Sequence, residues 1–108
     1  MRKIGLHDAA GRTAYLAGFH AAQAFISERT GRTVKTHKGV HMEFQRLTKE
    51  DLTFTFELRV FLSQAYNLKA IADYETGPGA EVSGEQAAQS IIQAKLFVAH
   101  VASRLASS

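Results

Sequence analysis

The chain has 108 residues and a mass of 11.8 kDa, enough for one domain with a modest core and too short for two independent ones. Hydrophobic residues make up 45% and charged residues 21%, a composition that predicts a folded protein. The absence of cysteine excludes disulfides, thiolate catalysis and cysteine-ligated metal sites, and the net charge of +3 mildly favours polyanionic partners.

Membrane and export signals are also missing from the sequence. No stretch approaches the roughly 18 apolar residues that a membrane helix needs. The N-terminal residues Met1–Asp8 lack the apolar run of a signal peptide. We therefore expect a cytoplasmic protein without a membrane partner, in which residues 1–108 form a single domain.

The first predicted helix runs from about Asp8 to about Arg29. Asp8 has the residue type of an N-cap, and the residues that follow have the three-and-four apolar spacing of a helical stripe. A second apolar line, which includes Tyr15 and Phe19, widens the buried face, and its alanines permit close helix approach. Gly31 suits the left-handed backbone conformation that ends a helix.

A short second helix is predicted over about His37–Leu47, with Thr36 as its N-cap. A third helix is predicted to start at Thr48–Asp51, which resembles a capping box, and to reach about residue 72. Its first turns are ambiguous, because apolar and polar residues alternate over 52–57 as they would in a strand. The helical spacing beyond them favours a helix.

The last long helix is predicted to start at Ser83–Gln86, another capping box, after a loop at Thr76–Ala80 that contains the only proline. Its apolar residues form two lines, so it needs two neighbours, and we expect one of them from a second subunit. The simplest architecture is an all-α, antiparallel, up-and-down four-helix bundle of three long helices and one short helix, present as a dimer.

Histidines are the first candidate functional residues. His37 and His41 stand four apart on one helix face, a spacing that can bind a metal, but the glutamate of metalloprotease helices and any cysteine ligand are missing. We therefore predict no metal site and no cofactor, with surface or capping roles for both. His20 fits either a general base or a hydrogen-bonded core residue, and the core is favoured.

Charged residues supply two further candidates. Arg29, Arg32, Lys35 and Lys38 lie within ten positions around the first inter-helix turn. They form a candidate basic patch, although a solvated loop is the more frequent outcome for such runs. Lys69 and Asp73 stand one turn apart on the third helix near Tyr74, and helix-surface pairing is a sufficient structural reason for them.

Three segments, taken together, resemble the HEPN domain family. They are Ala14-Tyr15 with Phe19-His20-Ala21-Ala22, then Thr36-His37-Lys38-Gly39-Val40, then Ala65-Tyr66-Asn67-Leu68-Lys69 with Ala72-Asp73-Tyr74. Their order and spacing match that family over nearly the whole chain. The resemblance implies an all-α bundle that forms a homodimer with a shared polar cleft.

The resemblance also implies a function. Many members are encoded beside a minimal nucleotidyltransferase, a pairing that often acts as toxin and antitoxin, and members with an Arg-x4-6-His motif are metal-independent ribonucleases. RNA or a nucleotide is the implied ligand, and a minimal nucleotidyltransferase the implied protein partner. The implied binding residues are His37, Lys38, Lys69, Asp73 and Tyr74, and the catalytic candidates are Lys69, Tyr74 and His20.

The sequence departs from the ribonuclease pattern at the motif itself. Thr13 stands where the first-helix arginine is expected, with Arg12 one residue earlier. Lys69 replaces the third-helix arginine and Tyr74 the histidine; lysine lacks the bidentate fork, and tyrosine is a poor base near neutral pH. The interpretation is a dimeric protein that binds RNA or a nucleotide, and the incomplete motif argues against ribonuclease activity. The alternative is a catalytically inert helical interaction module.

Overall fold

The computed structural model describes residues 6–74 and 83–106, and within them the side chains of 9–70 and 83–105. These residues form four helices: α1 (Leu6–Thr30), α2 (His37–Thr48), α3 (Phe56–Tyr74) and α4 (Gly84–Ala106). No strand occurs in these two ranges. The prediction of an all-α bundle with three long helices and one short helix is confirmed. The predicted loop at Thr76–Ala80 lies outside the described residues.

The short helix α2 runs beside α1 in the same direction, so the predicted antiparallel up-and-down order is wrong at this first connection. His37, at the start of α2, packs its ring 5.5 Å from that of Tyr15, and Phe44, two turns later, packs 5.6 Å from Phe25. Residues 31–36 make this arrangement possible, because they carry the chain back along α1 before α2 begins. The buried residues of α2, which are Val40, Phe44 and Thr48, thereby face the bundle.

The long helix α3 runs antiparallel to α1. Gly18 of α1 lies against the Phe61 ring, whereas Gly11, two turns earlier on α1, lies against Leu68, two turns later on α3. A Cβ atom at position 18 would overlap the Phe61 ring, so glycine permits this close approach. The helix α4 follows α1 in direction, and near their ends Arg29 donates a hydrogen bond to the Arg104 carbonyl at 3.4 Å.

Phenylalanine rings fill the centre of the bundle. Phe25, Phe44, Phe54, Phe61 and Phe97 are each no more than 4% exposed. Neighbouring centroids lie 4.8–5.7 Å apart, several of them edge to face, the geometry that aromatic quadrupoles favour. Burial of each such ring contributes about 1.5–3 kcal/mol, so this cluster is a principal source of stability.

Three predicted helix ends are confirmed. The hydroxyl of Thr36 accepts a hydrogen bond from the Gly39 amide at 3.0 Å. Ser83 and Gln86 form the full capping box, because each backbone amide donates to the other side chain at 3.0 Å. Gly31 has φ +73°, the left-handed conformation expected after α1.

The predicted cap of the third helix is wrong, since Thr48 belongs to α2 and α3 begins at Phe56. Thr48 is fully buried and donates to the Phe44 carbonyl at 2.8 Å. The Asp51 carboxylate instead builds a turn, because it accepts from the amide and the hydroxyl of Thr53 at 3.0 and 2.6 Å. Residues 52–55 of the alternating segment are therefore neither strand nor helix, and the buried ring of Phe54 belongs to the core.

Two further features concern the start of α1 and the apolarity of the helices. Asp8 lies inside α1 rather than at its N-cap, because the helical backbone already extends to Leu6. None of the described helices is apolar over enough of its length to cross a bilayer.

Candidate functional site

A cluster of aromatic and histidine side chains lies where α1, α2 and α3 meet. The hydroxyl of Tyr15 is 2.7 Å from Nδ1 of His37 and 2.9 Å from Nε2 of His41. The rings of Phe19 and Tyr66 pack 5.7 and 5.4 Å from the Tyr15 ring. We call Tyr15, Phe19, His37, His41 and Tyr66 the tyrosine–histidine cluster. It joins residues from all three of the segments that resemble the HEPN family.

The start of α2 is built to hold this cluster. Gln23 of α1 donates to the Val34 carbonyl at 2.9 Å and so ties the α1–α2 connection to α1. A Cβ atom at Gly39 would lie 2.6 Å from the Thr36 hydroxyl and 2.8 Å from a Val34 methyl group, so glycine is needed for this tight cap. The cap fixes the register of α2, and the spacing of four then turns both histidines towards α1.

The proton arrangement at Tyr15 is constrained. A phenolic hydroxyl donates one hydrogen bond, so it donates to only one of the two imidazole rings. The contacting nitrogen of the other ring must then carry a proton and donate to the tyrosine oxygen. The hydroxyl therefore couples His37 to His41: a proton gained at one ring changes the hydrogen bond at the other.

Electrostatics set the protonation states of this cluster near neutral pH. Burial, with a smaller contribution from ionised Tyr66, raises the pKa of Tyr15 to about 12, so the hydroxyl keeps its proton. Burial lowers the pKa of His41 below its ordinary 6.5, and the positive charge of His37 adds to the lowering. His41 is therefore neutral at pH 7 and can accept a proton or a hydrogen bond.

A groove with several cationic side chains adjoins the cluster. It has a volume of about 470 Å³ and is lined by His41, Met42, Gln45, Arg46, Lys49 and Arg59. His41 belongs to both this basic groove and the cluster. Arg46 pairs with Glu43, yet its side chain is 62% exposed. Guanidinium and ammonium groups around one concave surface are suited to a phosphate group.

One arginine of the basic groove has an unused donor. The Nε atom of Arg59 is buried and has no hydrogen-bond partner among the described residues. The backbone of the same residue is held in place, because Gln45 donates a side-chain hydrogen bond to its carbonyl. Arg59 is thus held at the joint between α2 and α3, and one donor of its guanidinium is unpaired among the described residues.

The residues assigned to binding from the sequence lie in different places. His37 is in the cluster, and Lys38 is exposed beside it on α2. Lys69 is half-buried on α3. Asp73 and Tyr74 are helical residues of α3 whose side chains lie outside the described ones, so their place in a site stays a prediction.

The prediction that His20 is a core residue is wrong. Its side chain is exposed, and Nδ1 lies 3.2 Å from the side-chain oxygen of Gln23. The reason is helical geometry: His20 follows the buried Phe19 by one residue, which turns it about 100° towards solvent. It lies outside the tyrosine–histidine cluster.

The candidate basic patch of the α1–α2 connection is divided among separate contacts. Arg29 places its guanidinium 4.8 Å from the centroid of the Phe25 ring. Arg32 pairs with Glu43 at 3.5 Å. Lys35, like Lys38, is exposed, so the solvated-loop alternative describes this segment better.

Sequence reasoning missed the Tyr15 hydroxyl and the basic groove. A tyrosine on a buried helical stripe needs a hydrogen-bond partner, and two histidines on one helix face are suitable partners, so a signal for the first was present. In the groove, Arg46 belongs to α2 and Lys49 directly follows that helix, whereas Arg59 belongs to α3. Only the fold brings these three residues together. Among the described side chains, no group of three or more metal-ligating residues occurs.

The sequence is similar to a UPF0332 protein of Archaeoglobus fulgidus. The two are 34% identical over 97 residues, which cover 89% of this chain and 74% of the relative. The chain belongs to the UPF0332 family. Since the matched stretch covers 89% of the chain, it includes part of every helix. No family model matches the chain, and no solved structure gives a significant match.

Proposed function

We propose that this UPF0332 protein is an HEPN-type domain that binds RNA or a nucleotide phosphate in the basic groove. The observation that carries the proposal is the position of His41. Its ring lines the groove and is hydrogen-bonded at 2.9 Å to the Tyr15 hydroxyl, at the meeting point of the three HEPN-like segments. The groove supplies positive charge for a phosphate, and the cluster holds one wall of the groove rigid.

RNA affinity measured at several salt concentrations tests this proposal. In fluorescence anisotropy with a labelled single-stranded RNA, the double variant Arg46→Gln/Lys49→Gln should bind about tenfold more weakly. The slope of log K against log salt should fall by roughly 0.7 for each phosphate contact removed.

The matched control for that variant is Lys35→Gln, which removes an exposed cation of the α1–α2 connection outside the groove. Its affinity should stay within about twofold of the natural sequence, as expected for a distant exposed charge. Equal losses in both variants would assign binding to diffuse positive charge and would contradict a site in the groove.

Ribonuclease activity is a finer version of the proposal. Lys69 and Tyr74 stand at the positions that carry arginine and histidine in ribonuclease members of the HEPN family. Incubation of the purified protein with labelled RNA, compared with Lys69→Ala and Tyr74→Phe, tests cleavage directly. Loss of cleavage in both variants supports the enzyme; absence of cleavage in every preparation leaves a binding protein.

Homodimer formation is part of the proposal. A shallow groove of about 700 Å³ runs between α1 and α4, and small residues line much of it: Ala9, Ala10, Ala14, Ala17, Ala94 and Ala99. Beside it on α4, Ile92 and Leu96 are 50% and 54% exposed. Large side chains next to a groove of small ones make a self-complementary surface, so a two-fold axis would seat each chain on the other.

Sedimentation velocity tests the dimer. We expect the natural sequence to sediment as a dimer and Leu96→Glu as a monomer, because a carboxylate would have to lose its water in the interface. Leu52→Glu is the control, since Leu52 is 96% exposed in the turn between α2 and α3. A monomeric natural protein, or a Leu96→Glu dimer, would contradict this assignment.

A minimal nucleotidyltransferase is the proposed protein partner, as in toxin and antitoxin pairs of the HEPN family. Co-expression and co-purification with a nucleotidyltransferase encoded beside this chain tests it. A stable complex supports a paired regulator. A protein that binds neither this partner nor RNA would favour the inert interaction module.

A further inference from the structure

A second pocket, between α3 and α4, has a different chemistry from the basic groove. Its volume is about 420 Å³, and five carboxamide side chains line it: Gln64, Asn67, Gln86, Gln89 and Gln93. Apolar walls are formed by Phe61, Ala65 and Leu68. Glu85 is the one charged side chain among its described lining residues. We call this the amide pocket.

An unpaired buried hydroxyl belongs to the amide pocket. Ser90 lines it and is only 6% exposed, and its Oγ atom is buried without a hydrogen-bond partner among the described residues. A helical serine hydroxyl can usually turn to the carbonyl of the preceding turn, and buried hydroxyls are nearly always paired. Ser90 therefore offers a hydrogen bond to a molecule that enters the pocket.

The lining defines the class of ligand. A carboxamide carries a donor and an acceptor side by side. In Gln86 the oxygen accepts from the Ser83 amide, so this side chain has only its N–H groups to offer. Apolar walls fit the faces of a flat ring, while polar edges need hydrogen bonds. A lining of neutral polar groups does not select a charged group, so a phosphate is a poor occupant.

We propose that the amide pocket binds an adenine base. A single carboxamide matches the adjacent N6 donor and N7 acceptor of adenine, whereas the two adjacent acceptors of guanine favour arginine, which is missing from the described lining residues. The base belongs to a free nucleoside or nucleotide, or to an unpaired residue of RNA. This inference rests on the proposed function and adds base selectivity to it, at a site separate from the phosphate groove.

Calorimetric titration of the full chain with adenosine and with guanosine tests the inference. Adenosine should bind at least tenfold more tightly than guanosine. Ser90→Ala should weaken adenosine binding about tenfold and leave the melting temperature of the free protein unchanged or higher. Asn67→Ala should weaken binding similarly, and Ser63→Ala, an exposed serine of α3, should have no effect.

Any one of three results overturns the inference. The first two are equal affinity for adenosine and guanosine, and an unchanged adenosine affinity in Ser90→Ala. The third is a lower melting temperature in Ser90→Ala, because it would show that the hydroxyl stabilises the fold. Anisotropy with oligo(A) and oligo(U) separates the two sources of the base. Adenosine binding by itself assigns the pocket to a free nucleoside, and oligo(A) binding that requires Ser90 assigns it to RNA. Binding of neither overturns the inference.

The two proposals fail in different ways. If Arg46→Gln/Lys49→Gln loses RNA affinity while adenosine and oligo(A) show no preference, the amide pocket assignment falls and the basic groove stands. If adenosine binding requires Ser90 while RNA affinity is unaffected in the groove variant, the basic groove assignment falls and the amide pocket stands.

Discussion

Two buried hydroxyls, those of Tyr15 and Ser90, have opposite surroundings. Tyr15 is 0% exposed and its hydroxyl contacts two imidazole nitrogens, at 2.7 and 2.9 Å. Ser90 is 6% exposed, and its hydroxyl has no hydrogen-bond partner in the part of the chain that the structure describes. Since burial of an unpaired polar group costs free energy, the Tyr15 hydroxyl is satisfied within the fold, whereas the Ser90 hydroxyl carries a cost that a molecule bound in the proposed amide pocket would relieve. The comparison separates a polar group that stabilises the fold from one that does not.

The largest expected effect is a loss of stability, and it comes from removal of the Tyr15 hydroxyl. Tyr15→Phe keeps the ring but removes the buried hydroxyl, so the exposed His37 and the half-buried His41 both lose a hydrogen-bond partner. We expect the free energy of unfolding to fall by about 1–3 kcal/mol. Urea denaturation followed by circular dichroism measures it.

Tyr66→Phe is the matched control, because the hydroxyl of Tyr66 has no hydrogen bond to the residues that the structure describes. It should cost less than about 0.5 kcal/mol, as is usual for changes away from hydrogen-bonded sites. Similar losses in the two variants would show that the Tyr15 hydroxyl does not stabilise the fold.

A smaller effect is expected from pH. In the unfolded chain His41 binds a proton below about pH 6.5, whereas burial lowers the pKa of the folded residue, so it stays neutral to a lower pH. Its contribution to stability is therefore complete above pH 6.5 and is lost as the pH falls from there towards the folded pKa. Urea midpoints measured between pH 7.5 and 5 should fall with pH in the natural sequence.

His41→Gln should remove most of that pH dependence, while His20→Gln, which changes an exposed histidine, should keep it. Asp51 affects stability in a separate, more acidic range of pH. The hydrogen bond from the Thr53 hydroxyl is the main cause that lowers the pKa of Asp51 below 3.8, so its contribution is lost only in stronger acid. If the urea midpoint of His41→Gln falls with pH as steeply as that of the natural sequence, the pH dependence belongs to another group.

The smallest expected effect is a gain of stability, and it comes from removal of the Ser90 hydroxyl. Ser90→Ala removes a buried hydroxyl that pairs with nothing, so the free protein should gain up to about 1 kcal/mol of stability. Thermal denaturation without ligand measures the gain. Tyr15→Phe and Ser90→Ala thus move stability in opposite directions, and a loss in both would remove the distinction between the two hydroxyls.

Much of the fold could be predicted because its signals are local. The caps at Thr36 and Ser83 and the left-handed Gly31 act within a few residues, and each ends or begins a helix where the sequence places it. The start of α3 could not be predicted, because an aspartate such as Asp51 caps a turn as readily as a helix. Only the burial of Phe54 among the core rings decides between them.

The candidate site was predictable in part. His37 stands in a recognisable segment, so the resemblance marked it as a site residue, although its pairing with Tyr15 was not predicted. The partner hydroxyl of Tyr15 lies 22 residues away in sequence, on a stripe that reads as apolar. Arg59 lies in the first turn of α3 and lines the basic groove. Its position depends on the Asp51 turn before α3, which the sequence pattern predicted as a helix cap.

The sequence separations of the contacts have a kinetic consequence. The two hydrogen bonds of Tyr15 span 22 and 26 residues, and the Gln23 tie spans 11, whereas the contact of Arg29 with the end of α4 spans 75. Contacts that close short loops cost less chain entropy and are favoured early in folding. We expect α1 and α2 to assemble as a unit with their tyrosine and histidines already paired. The later helices would then close over a preformed half of the site.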